Sequence, residues 1–135
     1  MGAWGSGVFD NDVACDFALT AADGGGVSAL EAALDRVLSL GDDYLKAPEA
    51  AEGLAAADVA ARLRSSPGVE NAYTARVDAW VRTAGATASG ELAEKAARAI
   101  KRILTEPSEL LELWEASDDF DGWKRAVEEL TTRLQ

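Results

Sequence analysis

Apolar residues recur three and four positions apart along most of this chain, which is the spacing of an amphipathic helix. The first such run covers residues 11–22, and Asp10, Asn11 or Asp12 can cap its start. The stretch 23–26 contains three consecutive glycines, whose backbone entropy is too costly for a helix to continue through them. The pattern therefore predicts a first helix that ends at these glycines.

Two further helices are predicted before residue 64. Ser28 and Glu31 have the spacing of a capping box, and Gly41 fits the position just after a helix end. The apolar stripe of this second helix is Leu30, Leu34, Val37 and Leu38. Pro48 fits the first position of a third helix, which continues through Leu54, Val59 and Leu63. Gly53 is a weak point at which this helix can break or restart.

A turn predicted at residues 65–68 separates these helices from four more. The buried face of the fourth is predicted as Tyr73, Val77, Trp80, Val81 and Ala84. Ser89 caps the fifth, whose inner face is Leu92, Ala96, Ile100, Ile103 and Leu104. Pro107 restarts the chain, and Ser108 is the cap or first-turn residue of the next helix.

The last two predicted helices complete an all-α architecture. The sixth helix directs Leu110, Leu111, Leu113 and Trp114 inward, and the last carries Phe120, Trp123, Val127, Leu130 and Leu134. No segment shows a convincing alternation of period two. We therefore expect residues 1–135 to form one domain, a single compact bundle of six or seven short helices, with segment 1–10 packed on it.

Composition narrows the possible partners. The chain has 135 residues and a net charge of −11, so nucleic acid is an unfavourable partner. No apolar run is long enough to span a membrane, and a single cysteine suits a reducing compartment. We expect a cytoplasmic protein without a membrane partner, and the sequence gives no indication of oligomeric state.

The two ends of the chain carry a recognisable pattern. It opens with Met1-Gly2-Ala3-Trp4-Gly5, Gly7, the block Phe9-Asp10-Asn11-Asp12, and Asp16. The last third adds Ser108-Glu109-Leu110, Glu112-Leu113-Trp114, Trp123 and Leu134. This pattern resembles the bacterial family called domain of unknown function 4259. The resemblance implies a small, mostly helical bacterial protein and supplies no catalytic residues to transfer.

The opening residues have a structural interpretation. Gly5-Ser6-Gly7 before a helix is reminiscent of a phosphate-binding loop, but the third glycine of the dinucleotide fingerprint is missing and no strand precedes it. Acids in a first turn complement the helix dipole and satisfy free amide groups. We expect Trp4 and Phe9 to anchor in the core while the acids behind them cap the helix.

Catalytic and metal chemistry find little support in the residues. There is no histidine, and the negative field around Cys15 opposes a thiolate. Asp10, Asp12 and Asp16 offer oxygen ligands for a hard cation, and residues 117–128 formally resemble a calcium loop. We favour helix capping by Asp118, Asp119 or Asp121 and predict no catalytic residue, no metal and no cofactor.

The densest run of acids lies near the C-terminus and contains no lysine or arginine. Its members are Glu106, Glu109, Glu112, Glu115, Asp118, Asp119 and Asp121. The run is either a solvated face or a docking surface for a basic protein partner. A basic side formed by Lys95, Arg98, Lys101 and Arg102 is expected to pair locally, as Glu91 with Lys95 and Glu94 with Arg98.

Taken together, these features predict a non-catalytic acidic interaction protein, of an immunity-like or regulator-like kind. The alternative is a small carboxylate-based metal-binding protein or metal-assisted hydrolase using the aspartates named above.

Overall fold

A computed structural model describes residues 5–64, 72, 74–83 and 88–135. In these ranges the chain forms seven α-helices. They are α1 (Asp12–Thr20), α2 (Gly26–Leu38), α3 (Ala47–Leu63), α4 (Ala75–Thr83), α5 (Gly90–Ile103), α6 (Glu109–Glu115) and α7 (Phe120–Arg133). Within the same ranges the chain forms no strand, and Leu45 and Ser108 make a single isolated parallel bridge. The predicted all-α bundle is confirmed.

Helix α3 is the centre of the bundle. Every residue in 53–63 is buried, and α3 packs against α1, α2 and α5. Alanine dominates this helix, and its small side chain lets neighbouring helices approach closely from all sides. A side-chain carbon added to Gly53 would lie 2.8 Å from Cγ2 of Val37. The predicted break at Gly53 is therefore wrong, because this glycine provides room for α2 instead of interrupting the helix.

The triple glycine forms a kink between α1 and α2. A single π-helical turn, Ala21–Gly25, connects the two helices, and Gly24 and Gly26 have φ angles of 125° and 60°. Gly26 donates its amide hydrogen to the carbonyl oxygen of Ala21, which closes the turn at the residue where α2 begins. The predicted capping box of Ser28 and Glu31 is wrong, since α2 starts two residues earlier without a side-chain cap.

The apolar faces largely match the predicted ones. Val77 is buried and Trp80 and Val81 are half-buried, whereas residues 65–68, Tyr73 and 84–87 lie outside the described ranges. Ala72 precedes α4, which begins at Ala75. In α6, Leu110, Leu111 and Trp114 are buried, but Leu113 is 39% exposed, which corrects its predicted inward direction.

Several helix ends differ in detail from the predicted ones. Ser89 caps α5 by accepting a hydrogen bond from Leu92 N at 3.1 Å, as predicted. Pro48 is the second residue of α3 rather than its first, and Gly41 lies three residues beyond α2 with a φ angle of 57°. Ser108 occupies the N-cap position of α6, but its buried hydroxyl has no hydrogen-bond partner among the residues that the structure describes.

The basic side of α5 does not pair as predicted. Lys95 forms an ion pair with Asp35 of α2 at 2.9 Å, not with Glu91. Arg102 donates instead to main-chain carbonyl oxygens of Gly41, Asp43, Thr105 and Pro107, at 2.7 to 3.0 Å. The planar guanidinium suits such multiple donation, so Arg102 joins the connection before α3 to the one before α6. These two connections position the first turns of α3 and α6.

Candidate functional site

The opening loop folds around one of its own carboxylates. Asp10 accepts a hydrogen bond from Gly7 N at 2.9 Å, and side-chain carbons added to Gly5 and Gly7 would lie 2.5 and 2.7 Å from its Oδ2. The glycines are needed because the loop approaches this carboxylate closely. The Gly7 amide of this loop thus has a partner within the chain, the carboxylate of Asp10.

The next two residues of the loop also have internal partners. Phe9 is buried, and the guanidinium carbon of Arg62 lies 5.5 Å from the centre of its ring, a cation–π distance. Asn11 Oδ1 accepts from Ala14 N at 2.8 Å and so caps α1. The predicted burial of Phe9 is confirmed, whereas Trp4, its expected companion, lies outside the described ranges. Asn11 was one of three predicted caps, but the expectation that the acids cap the helix is wrong, because the cap is an amide and Asp10 accepts from Gly7 N instead.

Cys15 lies beneath this loop. It is half-buried, and its thiol donates to the Phe9 carbonyl oxygen at 3.1 Å. Burial and then the charges of Asp12, Asp16 and Asp10 raise the pKa of the Cys15 thiol. A thiol with a raised pKa is a poor nucleophile, which agrees with the expectation from the sequence.

On one side of the loop, a buried network of charges joins α3, α4 and α7. Arg62 donates through Nε to Asp58 and through Nη1 to Asp78, both at 2.6 Å. Arg133 reaches the other oxygen of Asp58 at 2.9 Å, and the Thr74 hydroxyl donates to Asp78 at 2.8 Å. Among the residues that the structure describes, the network therefore brings two carboxylates and two guanidinium groups together.

The network has the properties of a structural element. Burial alone would lower the pKa of Arg62, but Asp58 and Asp78 outweigh it and hold that pKa above its usual value. A cavity of about 160 Å³ adjoins these charges and is also lined by Gly7, Val8 and Phe9. Each buried carboxylate of the network has an arginine partner, which is the arrangement that a buried charge needs in order to be stable.

On the other side of the same loop lies an apolar groove. Its volume is about 280 Å³, and it runs between the opening loop and the first turns of α1, α3 and α6. Its apolar lining includes Val8, Val13, Pro48, Leu54, Leu110, Leu113, Trp114 and Trp123. The rings of Trp114 and Trp123 stack with their centres 5.9 Å apart and their planes 7° apart. This stacked pair gives the groove a rigid aromatic part.

One carboxylate lies at this groove. Asp12 is the sole charged residue among the described residues that line it, and Asp12 is exposed. Its side chain makes no hydrogen bond or ion pair with any other part of the chain that the structure describes. Asp12 therefore places an exposed carboxylate beside an apolar surface.

Comparison with known proteins identifies the family. Residues 2–126 match the family described as domain of unknown function (DUF4259). The chain belongs to this family. No curated protein and no solved structure matches it. The match covers the opening loop, the groove and the buried network except for Arg133, which lies beyond residue 126, and it confirms the resemblance noted from the sequence.

In this DUF4259 protein, the acidic run near the C-terminus is divided between two uses. Glu109 Oε1 accepts from Ala47 N at 2.7 Å and so satisfies the start of α3, while Glu106 accepts from Ser108 N. The Tyr44 hydroxyl donates to Glu112 at 3.2 Å. A hydrogen bond with Glu106 and burial raise the pKa of Glu112, against the opposing effect of Tyr44.

The remaining acids of the run are exposed. They are Glu115, Asp118, Asp119 and Asp121. Asp119 stands at the N-cap position of α7, although its side chain forms no capping hydrogen bond. The seven acids therefore differ in their roles, because Glu106 and Glu109 accept hydrogen bonds from main-chain amides at helix starts.

Metal binding gains no support from the described residues. No three carboxylate or thiol side chains among them are grouped so that they could hold an ion. Asp10 faces the loop amide of Gly7, whereas Asp12 and Asp16 point to solvent. The formal calcium loop is not a loop, because α7 begins at Phe120, within it.

Among the residues that the structure describes, no helix is long and apolar enough to cross a bilayer.

The buried network was not predicted from the sequence. A usable signal existed, since Asp58 and Arg62 are four residues apart in a run of alanine, valine and leucine. Two opposite charges with helical spacing inside an apolar segment indicate a buried ion pair. Asp78 and Arg133 had no comparable signal, because they look like ordinary polar positions of amphipathic helices.

Proposed function

We propose that this protein is a non-catalytic protein-binding domain. Its apolar groove holds a large apolar side chain from a basic segment of a partner protein. The observation that carries the proposal is an open apolar groove, about 280 Å³ in volume, in the surface of a chain with a net charge of −11.

The size and lining of the groove support an apolar side chain as its occupant. A cavity of about 150 Å³ is already large enough for a benzene ring, so this groove can take an aromatic or branched side chain. Leu113 is 39% exposed at its edge, whereas Trp114 and Trp123 below it are buried. Large apolar side chains that enter such pockets are the usual anchors of protein interfaces.

The charge around the groove supports a basic partner. Asp12 lies at the groove itself, and Glu112 and Glu115 are exposed on α6, the helix that contributes Leu113 and Trp114 to the groove. Carboxylates around an apolar centre attract a segment with lysine or arginine next to its anchor and repel an acidic one. An immunity-like role, in which a basic effector is masked, is one form of this function, and a single reduced cysteine suits a cytoplasmic location.

The chemistry of the chain supports a non-catalytic role. The sequence contains no histidine, the thiol of Cys15 has a raised pKa, and the buried carboxylates of the network are paired with arginines. General acid–base catalysis near neutral pH needs a group that titrates there and can reach a substrate.

A selection with random dodecapeptides displayed on phage tests the proposal. The baits are the wild-type protein, Leu113→Asp, and the matched control Leu19→Asp, since Leu19 is also 39% exposed but lies on α1 away from the groove. Enriched peptides should carry a large apolar residue next to lysine or arginine. They should bind wild type and Leu19→Asp alike, lose at least about ten-fold in affinity for Leu113→Asp, and bind more weakly as salt rises.

Three outcomes would contradict the proposal. The first is a selection without common sequences, and the second is a set of peptides that bind Leu113→Asp as well as wild type. The third concerns Trp4, which lies outside the described ranges. If selected peptides bound a Trp4→Ala variant but not the wild type, the groove would belong to the chain's own tryptophan.

A further inference from the structure

We infer that Asp12 is the specificity-determining residue of the groove, and that it selects a lysine or arginine next to the partner's apolar anchor. This inference rests on the proposed function, and it names which carboxylate recognises the charge of the partner.

Contacts within the chain distinguish Asp12 from the other three residues of the Phe-Asp-Asn-Asp block. Phe9 lies under Arg62, Asp10 accepts from Gly7 N, and Asn11 caps α1. These three side chains stabilise the loop and the helix start. Asp12, the fourth, has no hydrogen bond or ion pair to any described residue and lines the groove instead.

The position of Asp12 beside apolar surface strengthens the attraction between its carboxylate and a cation in the groove. It is in the first turn of α1, beside Val13, and both residues line the groove. A cation that accompanies an apolar anchor into this groove would meet Asp12 next to apolar surface. Because that surface excludes water from one side, an ion pair there is screened less than one in open solvent.

A competing explanation is that Asp12 only complements the dipole of α1. Acids in the first turn of a helix do stabilise it. Asp16 provides a matched control, because it is exposed on the same helix and lines a different depression, with Arg36 and Glu52. Asp12→Asn and Asp16→Asn change the net charge equally, so a difference in probe affinity between the two variants depends on where the carboxylate lies.

Three indole probes test the inference without a known partner. Tryptamine carries an ammonium group, 3-methylindole is neutral, and indole-3-propionate carries a carboxylate. Each is titrated into ¹⁵N-labelled wild type, Asp12→Asn and Asp16→Asn, and dissociation constants are taken from the shifts of Val13, Leu113 and the Trp114 indole. In wild type, tryptamine should bind about two- to five-fold more tightly than 3-methylindole, and indole-3-propionate more weakly than both.

The two variants distinguish a failure of the inference about Asp12 from a failure of the proposed function. Asp12→Asn should bring the ratio of tryptamine to 3-methylindole affinity close to one, while Asp16→Asn keeps the wild-type ratio. If both variants lower the ratio equally, or neither does, the inference about Asp12 is wrong and the groove remains a binding site. If none of the probes shifts a groove residue, the proposed function itself is wrong, and the inference is lost with it.

Discussion

The opening loop separates two cavities that differ in whether the charged side chains beside them have partners within the chain. Gly7 and Val8 line both of them. On one side, Asp58, Arg62 and Asp78 are buried and paired at 2.6 Å. On the other, an apolar groove has Asp12 as its one charged residue among the described lining, and this residue has no partner in the described chain.

This difference distinguishes charged side chains that stabilise the fold from a charged side chain that is available to a partner protein. A buried ion pair costs desolvation, so it is retained only where each charge has a well-placed partner. An exposed carboxylate without a partner contributes little to stability, yet it keeps its full attraction for an incoming cation. The network therefore holds α3, α4 and α7 together, and the role that we propose for the groove is recognition.

The largest expected effect comes from breaking the network. Arg62→Met leaves Asp58 and Asp78 buried beside fewer positive charges, so we expect a loss of about 3–5 kcal/mol in the free energy of unfolding. Arg36→Met is the matched control, because it breaks the Arg36–Glu52 pair, whose side chains are 51% and 32% exposed. Urea denaturation should show a loss of about 0.5 kcal/mol for that control. Equal losses in the two variants would mean that the network is not a special element of stability.

A smaller effect distinguishes neighbouring residues of the opening block. Asn11→Ala removes the cap of α1, and we expect it to cost about 1 kcal/mol. Asp12→Asn removes only an acid from the first turn, so its cost should be about 0.3 kcal/mol. Thermal unfolding followed by circular dichroism measures both. A larger loss for Asp12→Asn would assign Asp12 a structural role and weaken its role in recognition.

Cys15 tests the electrostatic field beneath the loop. Because burial and then the charges of Asp12, Asp16 and Asp10 raise its pKa, Cys15 should react with iodoacetamide several-fold more slowly than free cysteine at pH 8. Asp12→Asn and Asp16→Asn should each increase the rate, since each removes a nearby negative charge. A rate equal to that of free cysteine, unchanged in the variants, would contradict this description of the site.

The smallest effect concerns the acids near Tyr44. The hydrogen bond with Glu106 raises the pKa of Glu112 above its usual 4.5, so the folded chain binds a proton more readily than the unfolded chain above that pH. The contribution of this pair to stability therefore falls as pH rises from 4.5 through the folded pKa. Glu106→Gln should lower the pKa of Glu112 in a carboxyl-carbon NMR titration. An unchanged pKa would show that the two side chains do not interact.

Much of the fold was predictable from the sequence, because helical periodicity reports directly on burial. Most of the inner faces of α5 and α7 were predicted correctly, although Leu104 and Phe120 are only half-buried. The cap formed by Ser89 was predicted, and Asn11 was one of three predicted caps of α1. The errors arise where tertiary contacts override local preference. Gly53 does not break α3, because α2 needs its space, and the π-helical turn replaces the cap predicted at Ser28.

The candidate site was less predictable, because it depends on contacts distant in sequence. Nothing local relates Asp58 to Arg133, 75 residues later, or brings Val8 beside Leu113. The acidic run shows the same limit. Glu109 looked like part of an outward face, but it satisfies the start of α3 through Ala47 N. Local spacing identifies which residues share a helix face, not which distant element that face meets.

The most direct test is to map where a small apolar probe binds. Wild-type protein labelled with ¹⁵N is titrated with 3-methylindole, and shifts are compared on the two sides of the opening loop. We predict shifts at Val13, Leu113 and the Trp114 indole, with little change at Thr74, Ala126 or Glu129 beside the buried network. Shifts concentrated on the network side, or none on either side, would contradict the assignment of the groove to recognition.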